Sequence, residues 1–241
     1  MIEKTKAIVL RSVKYGDSQL IVDFFTESHG RLSFMVNVPK SSKGKLKRQF
    51  FQSLMLLNIE FDYRPKLSLQ KLKNVGIAFP YSDIPFSPVK ISLAIFLAEF
   101  LSYATKLEQA NSPLFEFLWQ SFVWLDQESG EIANFHVLFL CRLSYFLGLG
   151  PNLDVDTENM WFDLEEGCFV PYSPTHSHFL SQEDSRHLLQ LFRLRYKTMH
   201  LYPMSRQDRN HCVEVIVEYY RLHLPSFPEL KSLPVLKELF C

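Results

Sequence analysis

The most distinctive chemistry in this sequence is a cluster of five basic side chains within nine residues, with no acidic residue among them. The cluster consists of Lys40, Lys43, Lys45, Lys47 and Arg48. Ser41, Ser42 and Gly44 lie between these cations, which predicts a flexible loop. Cations on such a loop can neutralise phosphates without reading a base sequence. The cluster predicts a contact with nucleic-acid backbone, and the alternative is a solvated linker of the same composition.

Two aromatic residues follow the cluster directly. Phe50 and Phe51 can be interpreted in two ways. Aromatic rings beside a basic groove hold single-stranded nucleic acid by stacking on its bases. The alternative is that both rings belong to a hydrophobic core.

A second group of cations lies at the end of one predicted helix and the start of the next. It consists of Arg193, Arg195, Lys197, Arg206 and Arg209. Cations at a helix C-terminus are favoured by the helix dipole, which explains Arg195 and Lys197 without a ligand. The surplus of cations leaves contact with an acidic peptide or with DNA open.

A metal site is not expected. A structural zinc site takes four ligands, whereas Cys168, His176 and His178 supply only a His-x-His pair and a lone cysteine. The acidic residues from 154 to 166 resemble a calcium-binding loop in spacing, but Asn159 stands where that loop needs glycine. We interpret this run as a solvated acidic loop.

The chain shows no motif of a common enzyme class. No GxxxxGK, HExxH or GxSxG pattern occurs, and the eight histidines are dispersed. The expectation is a protein without catalytic residues and without a cofactor.

The elements that must position these groups change character along the chain. In the first third, residues 32–38 alternate between apolar and other side chains, and residues 6–15 and 19–26 are rich in β-branched and apolar side chains, as is typical of strands. Strands are predicted over residues 6–15, 19–26, 32–38, 53–63 and 68–79. Five strands in about 80 residues favour a small barrel or sandwich.

Helical periodicity begins at Pro88. Helices are predicted from Pro88, from Ser112 as N-cap to about Ser129, and over 131–147, 182–196 and 206–223, with Ser232 capping a short last helix. Ser181 and Ser205 each precede an acidic residue by three positions, which is the spacing of a capping box. Residues 151–180 fit neither period, so we expect an irregular insertion there.

The charge of the chain is divided between these regions. The 241 residues carry 26 basic and 26 acidic side chains, yet residues 1–80 carry +8 and residues 81–241 carry −8. Such asymmetry favours an anionic partner for the first part. The N-terminus lacks the apolar run of a signal peptide, no stretch is apolar enough to span a membrane, and the four cysteines are widely spaced. A cytoplasmic protein with free thiols is expected.

In their order and spacing these motifs resemble the bacterial RecO family of recombination mediators over essentially the whole chain. The most specific match is N-terminal: residues 7–10 (AIVL), 15–18 (YGDS) and 25–31 (FTESHGR). The basic loop, Glu99, residues 147–151 (LGLGP) and residues 230–232 (LKS) are also similar to that family.

The resemblance implies an α+β protein of three parts. These are an N-terminal OB-fold barrel over residues 1–80, a helical domain over 81–150 and 181–241, and a zinc-finger-like insertion over 151–180. Zinc-bearing members carry four cysteines in the insertion, whereas this chain has only Cys168 there. We therefore expect a degenerate zinc finger that has lost its ligands.

The resemblance also implies a function in DNA repair and recombination at the nucleoid. RecO-like proteins bind single- and double-stranded DNA, anneal strands, work with RecR, bind the acidic tail of single-stranded-DNA-binding protein and help to load RecA. Neutralised phosphates let complementary strands approach each other. The predicted DNA-binding residues are Arg11, Lys14, Arg31, Lys40, Lys43, Lys45, Lys47 and Arg48.

An acidic peptide that ends in an apolar residue needs an apolar pocket with a cationic rim. Because the helical domain is acidic overall, its few cations should mark that pocket. The predicted residues are Arg142, Arg193, Arg195 and Arg206.

Two other functional classes remain open. One is a metal-dependent enzyme acting on nucleic acid through the acidic run at residues 154–166. The other is an interaction scaffold that uses its barrel for protein contacts. DNA cleavage in magnesium would indicate the first, and the lack of a salt-dependent gel shift would indicate the second.

Overall fold

A computed structural model describes residues 2–38, 46–153 and 160–239 of the chain. These residues form two compact units. The first unit comprises residues 1–127 and 230–236, and the second comprises 128–229 and 237–241. None of the helices in the described ranges is both long and apolar enough to cross a membrane.

Five strands of the first unit close into a barrel. They are β1 (Ile2–Tyr15), β2 (Gln19–Thr26), β3 (Gly30–Asn37), β4 (Leu56–Asp62) and β5 (Leu69–Ile77). The order around the barrel is β1-β2-β3-β5-β4, and every neighbouring pair is antiparallel except β3 with β5. This OB-like barrel, with helices following it in the chain, confirms the predicted α+β fold.

The interior of the barrel is filled by alternate residues of its strands. Phe24, Phe34 and Phe61 are fully buried, and their rings meet edge to face at centroid distances of 5.1–5.2 Å. Edge-to-face pairs of this kind stabilise beyond the area they bury. The predicted start of β4 at residue 53 is wrong by three residues, because Leu54 turns the chain with a φ of 63°.

Two long helices follow the barrel within its own unit. They are α1 (Pro88–Ala104) and α2 (Ser112–Gln127). The Phe25 ring of β2 stacks on Phe115 of α2 at 6.3 Å, and Lys6 lies over the Trp119 ring at 5.3 Å. The compact division therefore falls after Gln127, whereas the sequence placed a domain boundary at residue 80.

The start of α2 differs from prediction by one residue. Asn111, and not Ser112, caps the helix, because its Oδ1 accepts a hydrogen bond from the N–H of Leu114 at 3.1 Å. Near the end of α2, the Asp126 carboxylate accepts hydrogen bonds from the amides of Ser82, Asp83 and Ile84. Burial alone would raise the pKa of Asp126, but these bonds outweigh it and the pKa is lowered.

Residues 230–236 return to the first unit. Glu99 of α1 accepts hydrogen bonds from the N–H of Lys231 at 3.0 Å and of Ser232 at 2.8 Å. Leu230 and Leu236 are buried, and Leu236 lies in the short helix α6 (Leu233–Lys237). Ser232 precedes α6 as predicted, while its hydroxyl donates to Glu99.

Three helices organise the second unit. They are α3 (Phe135–Phe146), α4 (Gln182–Arg193) and α5 (Arg206–His223). The predicted caps are confirmed: Ser181 Oγ accepts from the N–H of Asp184, and Ser205 forms a reciprocal capping box with Asp208. The α4 helix ends three residues earlier than predicted because a 3-10 helix occupies Tyr196–Leu201.

The insertion contains regular structure, so the prediction of an irregular segment is wrong. It forms a small antiparallel sheet in the order β7-β6-β8. The strands are β6 (Trp161–Asp163), β7 (Cys168–Val170) and β8 (Phe179–Leu180). Gly167, with a φ of 66°, closes the turn between β6 and β7. Strands of two or three residues are too short to show a period in sequence.

Candidate nucleic-acid interface

One end of the barrel brings the β1–β2 turn next to the start of the basic loop. The N–H of Val38 donates to the Ser18 carbonyl at 2.7 Å, and Gln19 Nε2 donates to Asn37 Oδ1 at 2.9 Å. Lys14 and Tyr15, which end β1, are both exposed. The chain therefore leaves β3 for residues 39–45 beside the β1–β2 turn at Ser18.

The chain re-enters the described barrel at the other end of this loop. Lys47 and Arg48 are exposed, and a 3-10 helix over Arg48–Phe51 follows. Phe51 is 3% exposed in the barrel core, and Phe50 packs against that core. Both rings therefore contribute to the barrel core instead of presenting a stacking surface. Lys40, Lys43 and Lys45 lie outside the described residues.

Arg11 extends the exposed cations along β1. A register shift between Val9 and Arg11 interrupts the pairing of β1 with β2, and every residue from 11 to 15 is exposed. Arg11 lines an open groove of about 530 Å³ together with Ser12, Ser53 and Lys231. Since a strand rises about 3.4 Å per residue, Arg11 and Lys14 lie roughly 10 Å apart.

Arg31 has a different position from the other predicted DNA-binding residues. Its guanidinium donates to Asp23 Oδ2 at 2.9 Å and to the Ser102 carbonyl at 2.8 Å, and its side chain is only 14% exposed. Burial lowers the pKa of Arg31, and the Asp23 carboxylate opposes that effect. These contacts hold Arg31 inside the unit, so the exposed interface is better assigned to the remaining cations.

The cross-strand register explains this placement. Asp23 lies opposite Arg11 on β1 and opposite Ser33 on β3. Ser33 Oγ donates to Asp23 Oδ1 at 2.5 Å, so both carboxylate oxygens are occupied. One carboxylate thus serves Arg31, while the charge of Arg11 remains exposed to solvent.

The structure adds candidates that the sequence reasoning missed. Tyr15 is 54% exposed beside Lys14, so its ring can stack on a base. Lys71 and Lys73 project from β5 into solvent, and Lys71 lies opposite Met35 of β3. The alternation of β5 between buried Leu72 and exposed lysines is the signal that would have found them.

The cations predicted to hold an acidic peptide fall into two groups. Arg142 of α3 donates to the Leu194 carbonyl at 2.7 Å, and the exposed Arg193 and Arg195 flank Leu194 in the chain. Beside Arg193, the Phe192 ring packs edge to face with Tyr145, which is 46% exposed, at 5.5 Å.

Arg206 is separate from that group. It donates to Glu238 at 3.1 Å and to the Lys237 carbonyl at 3.0 Å. These bonds fasten the start of α5 to the last described residues.

In the described part of the chain, no three His, Cys, Asp or Glu side chains are arranged to hold a metal ion. His176 Nε2 lies 3.1 Å from Asp163, and His178 Nδ1 lies 2.7 Å from Glu218. Burial raises the pKa of the Cys168 thiol, and nearby Asp163 and Glu166 raise it further. The first residues of the calcium-like run, 154–159, are outside the described ranges.

The two compact units carry opposite charge. The first unit holds 17 Lys and Arg against 11 Asp and Glu, a net +6, and the second holds 9 against 15, a net −6. A positive field draws polyanions toward a surface before any specific contact forms. The first unit is therefore the one suited to phosphate.

Comparison with known proteins covers both parts of the chain. A family model described as Recombination protein O N terminal matches residues 1–81, and one described as Recombination protein O C terminal matches residues 85–234. Proteins named DNA repair protein RecO from Bacteroides fragilis and Phocaeicola vulgatus are 48% and 46% identical to this chain, each over 100% of both chains. The protein of that name from Flavobacterium psychrophilum is 34% identical over 98% of both chains. The resemblance inferred from the sequence is confirmed, and the chain belongs to the RecO family of DNA repair proteins.

Proposed function

We propose that this protein is a DNA-binding recombination mediator that anneals complementary strands and makes or breaks no covalent bond. The observation that carries the proposal is the set of exposed cations in the second half of β1 and at the start of the 3-10 helix that follows the basic loop. They are Arg11, Lys14, Lys47 and Arg48. The sequence adds Lys40, Lys43 and Lys45, which lie outside the described residues. Such a set binds single- and double-stranded DNA through backbone phosphates.

Annealing follows from charge neutralisation at this surface. Two complementary strands repel each other through their phosphates, and bound Lys and Arg side chains reduce that repulsion. Tyr15 adds a ring on which an unpaired base can stack. Because phosphate contacts carry no sequence information, the protein should anneal strands of any sequence.

The partners we propose beyond DNA are RecR, single-stranded-DNA-binding protein and, through loading of its filament, RecA. We place the acidic tail of single-stranded-DNA-binding protein at Tyr145 and Phe192, with Arg142, Arg193 and Arg195 as its cationic rim. The aromatic pair offers an apolar contact for the end of the tail, and the exposed arginines meet its carboxylates. The proposed cellular location is the cytoplasm, at the nucleoid.

The test is strand annealing on naked DNA and on DNA coated with single-stranded-DNA-binding protein, measured across salt. For about five phosphate contacts, the slope of log affinity against log salt is roughly −3.5 on single strands. The double variant Lys47→Ala, Arg48→Ala should reduce that slope by about 1.4 and slow annealing on both substrates. The variant Arg193→Ala, Arg195→Ala should lose annealing only on coated DNA.

Lys106→Ala is the matched control. Lys106 is an exposed cation of the same unit, and its loop contacts the opposite end of the barrel, where the N–H of Arg31 donates to the Glu108 carbonyl. Replacing Lys106 by alanine should leave the slope of log affinity against log salt unchanged. Salt-independent affinity, or equal losses for the control and the Lys47/Arg48 variant, would refute the proposed DNA surface.

A further inference from the structure

A pocket in the second unit is lined by acidic and apolar side chains, which suit neither DNA nor an acidic peptide. It lies between α4, the residues 202–204 and α5, and it encloses about 250 Å³. Its floor is apolar and includes Leu188, Leu191 and Val215. The cavity is smaller than the roughly 300–1,000 Å³ of small-molecule sites, so it suits one anchoring side chain.

The rim of this pocket is acidic. Glu183 and Asp184 lie in the first turn of α4, and Asp208 lies in the first turn of α5. Among the described residues that line the pocket, none is Lys or Arg. Arg209, the neighbour of Asp208, is buried and donates to Asn134 and to the Met204 carbonyl. It therefore adds no exposed charge to the rim.

The other polar groups of the rim do not cancel the negative charge of the three carboxylates. His187 Nδ1 lies 2.5 Å from the Tyr202 hydroxyl, and His211 Nε2 lies 3.8 Å from Asp184. Hydrogen bonds from Ser205 lower the pKa of Asp208, so this carboxylate is ionised at neutral pH. Burial raises the pKa of the Cys212 thiol to about 11, so it stays neutral.

We infer that this pocket docks a basic protein segment in which a large apolar side chain is flanked by Arg or Lys. The apolar side chain enters between Leu188 and Val215, and its basic neighbours pair with Glu183, Asp184 and Asp208. Buried anchors surrounded by complementary charge are the usual source of specificity in peptide docking. The acid rim repels DNA and acidic tails, which separates this site from the surfaces proposed above.

The test is fluorescence anisotropy of the full-length protein with two labelled peptides at low salt. Gly-Ser-Arg-Phe-Lys-Gly should bind, and its charge-reversed partner Gly-Ser-Glu-Phe-Asp-Gly should not. Glu183 is exposed, so Glu183→Lys should weaken binding of the basic peptide by roughly 3- to 10-fold without unfolding the protein. Val215→Phe, which fills the floor, should abolish binding.

Glu229→Lys is the control, since Glu229 is an exposed acid of the same unit that does not line the pocket. It makes the same change in net charge and should leave the affinity unchanged. Equal binding of both peptides, equal losses in the two lysine variants, or no binding of the basic peptide would overturn the inference. A wild-type dimer that Glu183→Lys dissociates would assign the pocket to a second copy and also overturn it.

Discussion

Asp23 supplies the carboxylate that pairs with the largely buried Arg31 of the barrel. It lies between Arg11 and Arg31, accepts hydrogen bonds from Arg31 and Ser33, and is 16% exposed. Asp23→Ala should lower the free energy of unfolding by about 3 kcal/mol or more, because the largely buried Arg31 loses its counter-charge. Urea denaturation measures this.

The matched comparison is another ion pair of the same barrel. Lys4 and Glu60 face each other across β1 and β4 at 2.7 Å, with side chains 75% and 33% exposed. Glu60→Ala should cost less than about 1 kcal/mol, since exposed pairs contribute little. If both variants lose the same stability, the assignment of Arg31 as a structural charge is wrong.

At the scale of elements, two turns of the barrel each contain a glycine, and the two glycines differ in the space around them. Gly16 and Gly30 both have positive φ, at 68° and 66°. A Cβ on Gly16 would meet nothing within 4 Å, whereas one on Gly30 would collide with the carbonyl oxygen of Gln109. The β2–β3 turn is thus pressed against the loop between α1 and α2.

This contrast predicts unequal effects of the same substitution. Gly16→Ala should cost about 1 kcal/mol for its left-handed conformation alone. Gly30→Ala should cost about 3 kcal/mol, because the Gln109 backbone must also move. Thermal or urea unfolding of the two variants tests this, and similar losses would contradict the close approach at Gly30.

At the scale of the whole molecule, the first unit is built from two separate stretches of the chain, residues 1–127 and 230–236. Removing residues 230–241 takes away buried Leu230 and Leu236 and the partners of Glu99. We expect a loss of about 4 kcal/mol, mainly from the two leucines. Calorimetry of a chain ending at Glu229 tests this against a control ending at Glu238, and equal stability of the two would refute the expectation.

The sequence predicted the local elements well and the assembled contacts less well. Alternation in residues 32–38 and apolar, β-branched composition elsewhere indicated the five strands, and the spacing of Ser205 and Asp208 indicated a helix start. These signals all lie within a few residues of one another. The pairing of Arg31 with Asp23 depends on the register of two strands and on the Ser102 carbonyl, 71 residues away. The basic loop was identifiable from composition. Tyr15 became a candidate only because the structure places the β1–β2 turn, which follows Tyr15, beside the start of that loop.

The return of residues 230–236 to the first unit also has a consequence during synthesis. Residues 1–127 are synthesised before residues 230–236, so the first unit stays incomplete until those later residues have left the ribosome. A chain interrupted at any earlier point therefore lacks the segment that Glu99 holds. Full stability of the first unit thus requires synthesis to pass residue 236, and chains that stop earlier are left more open to proteolysis.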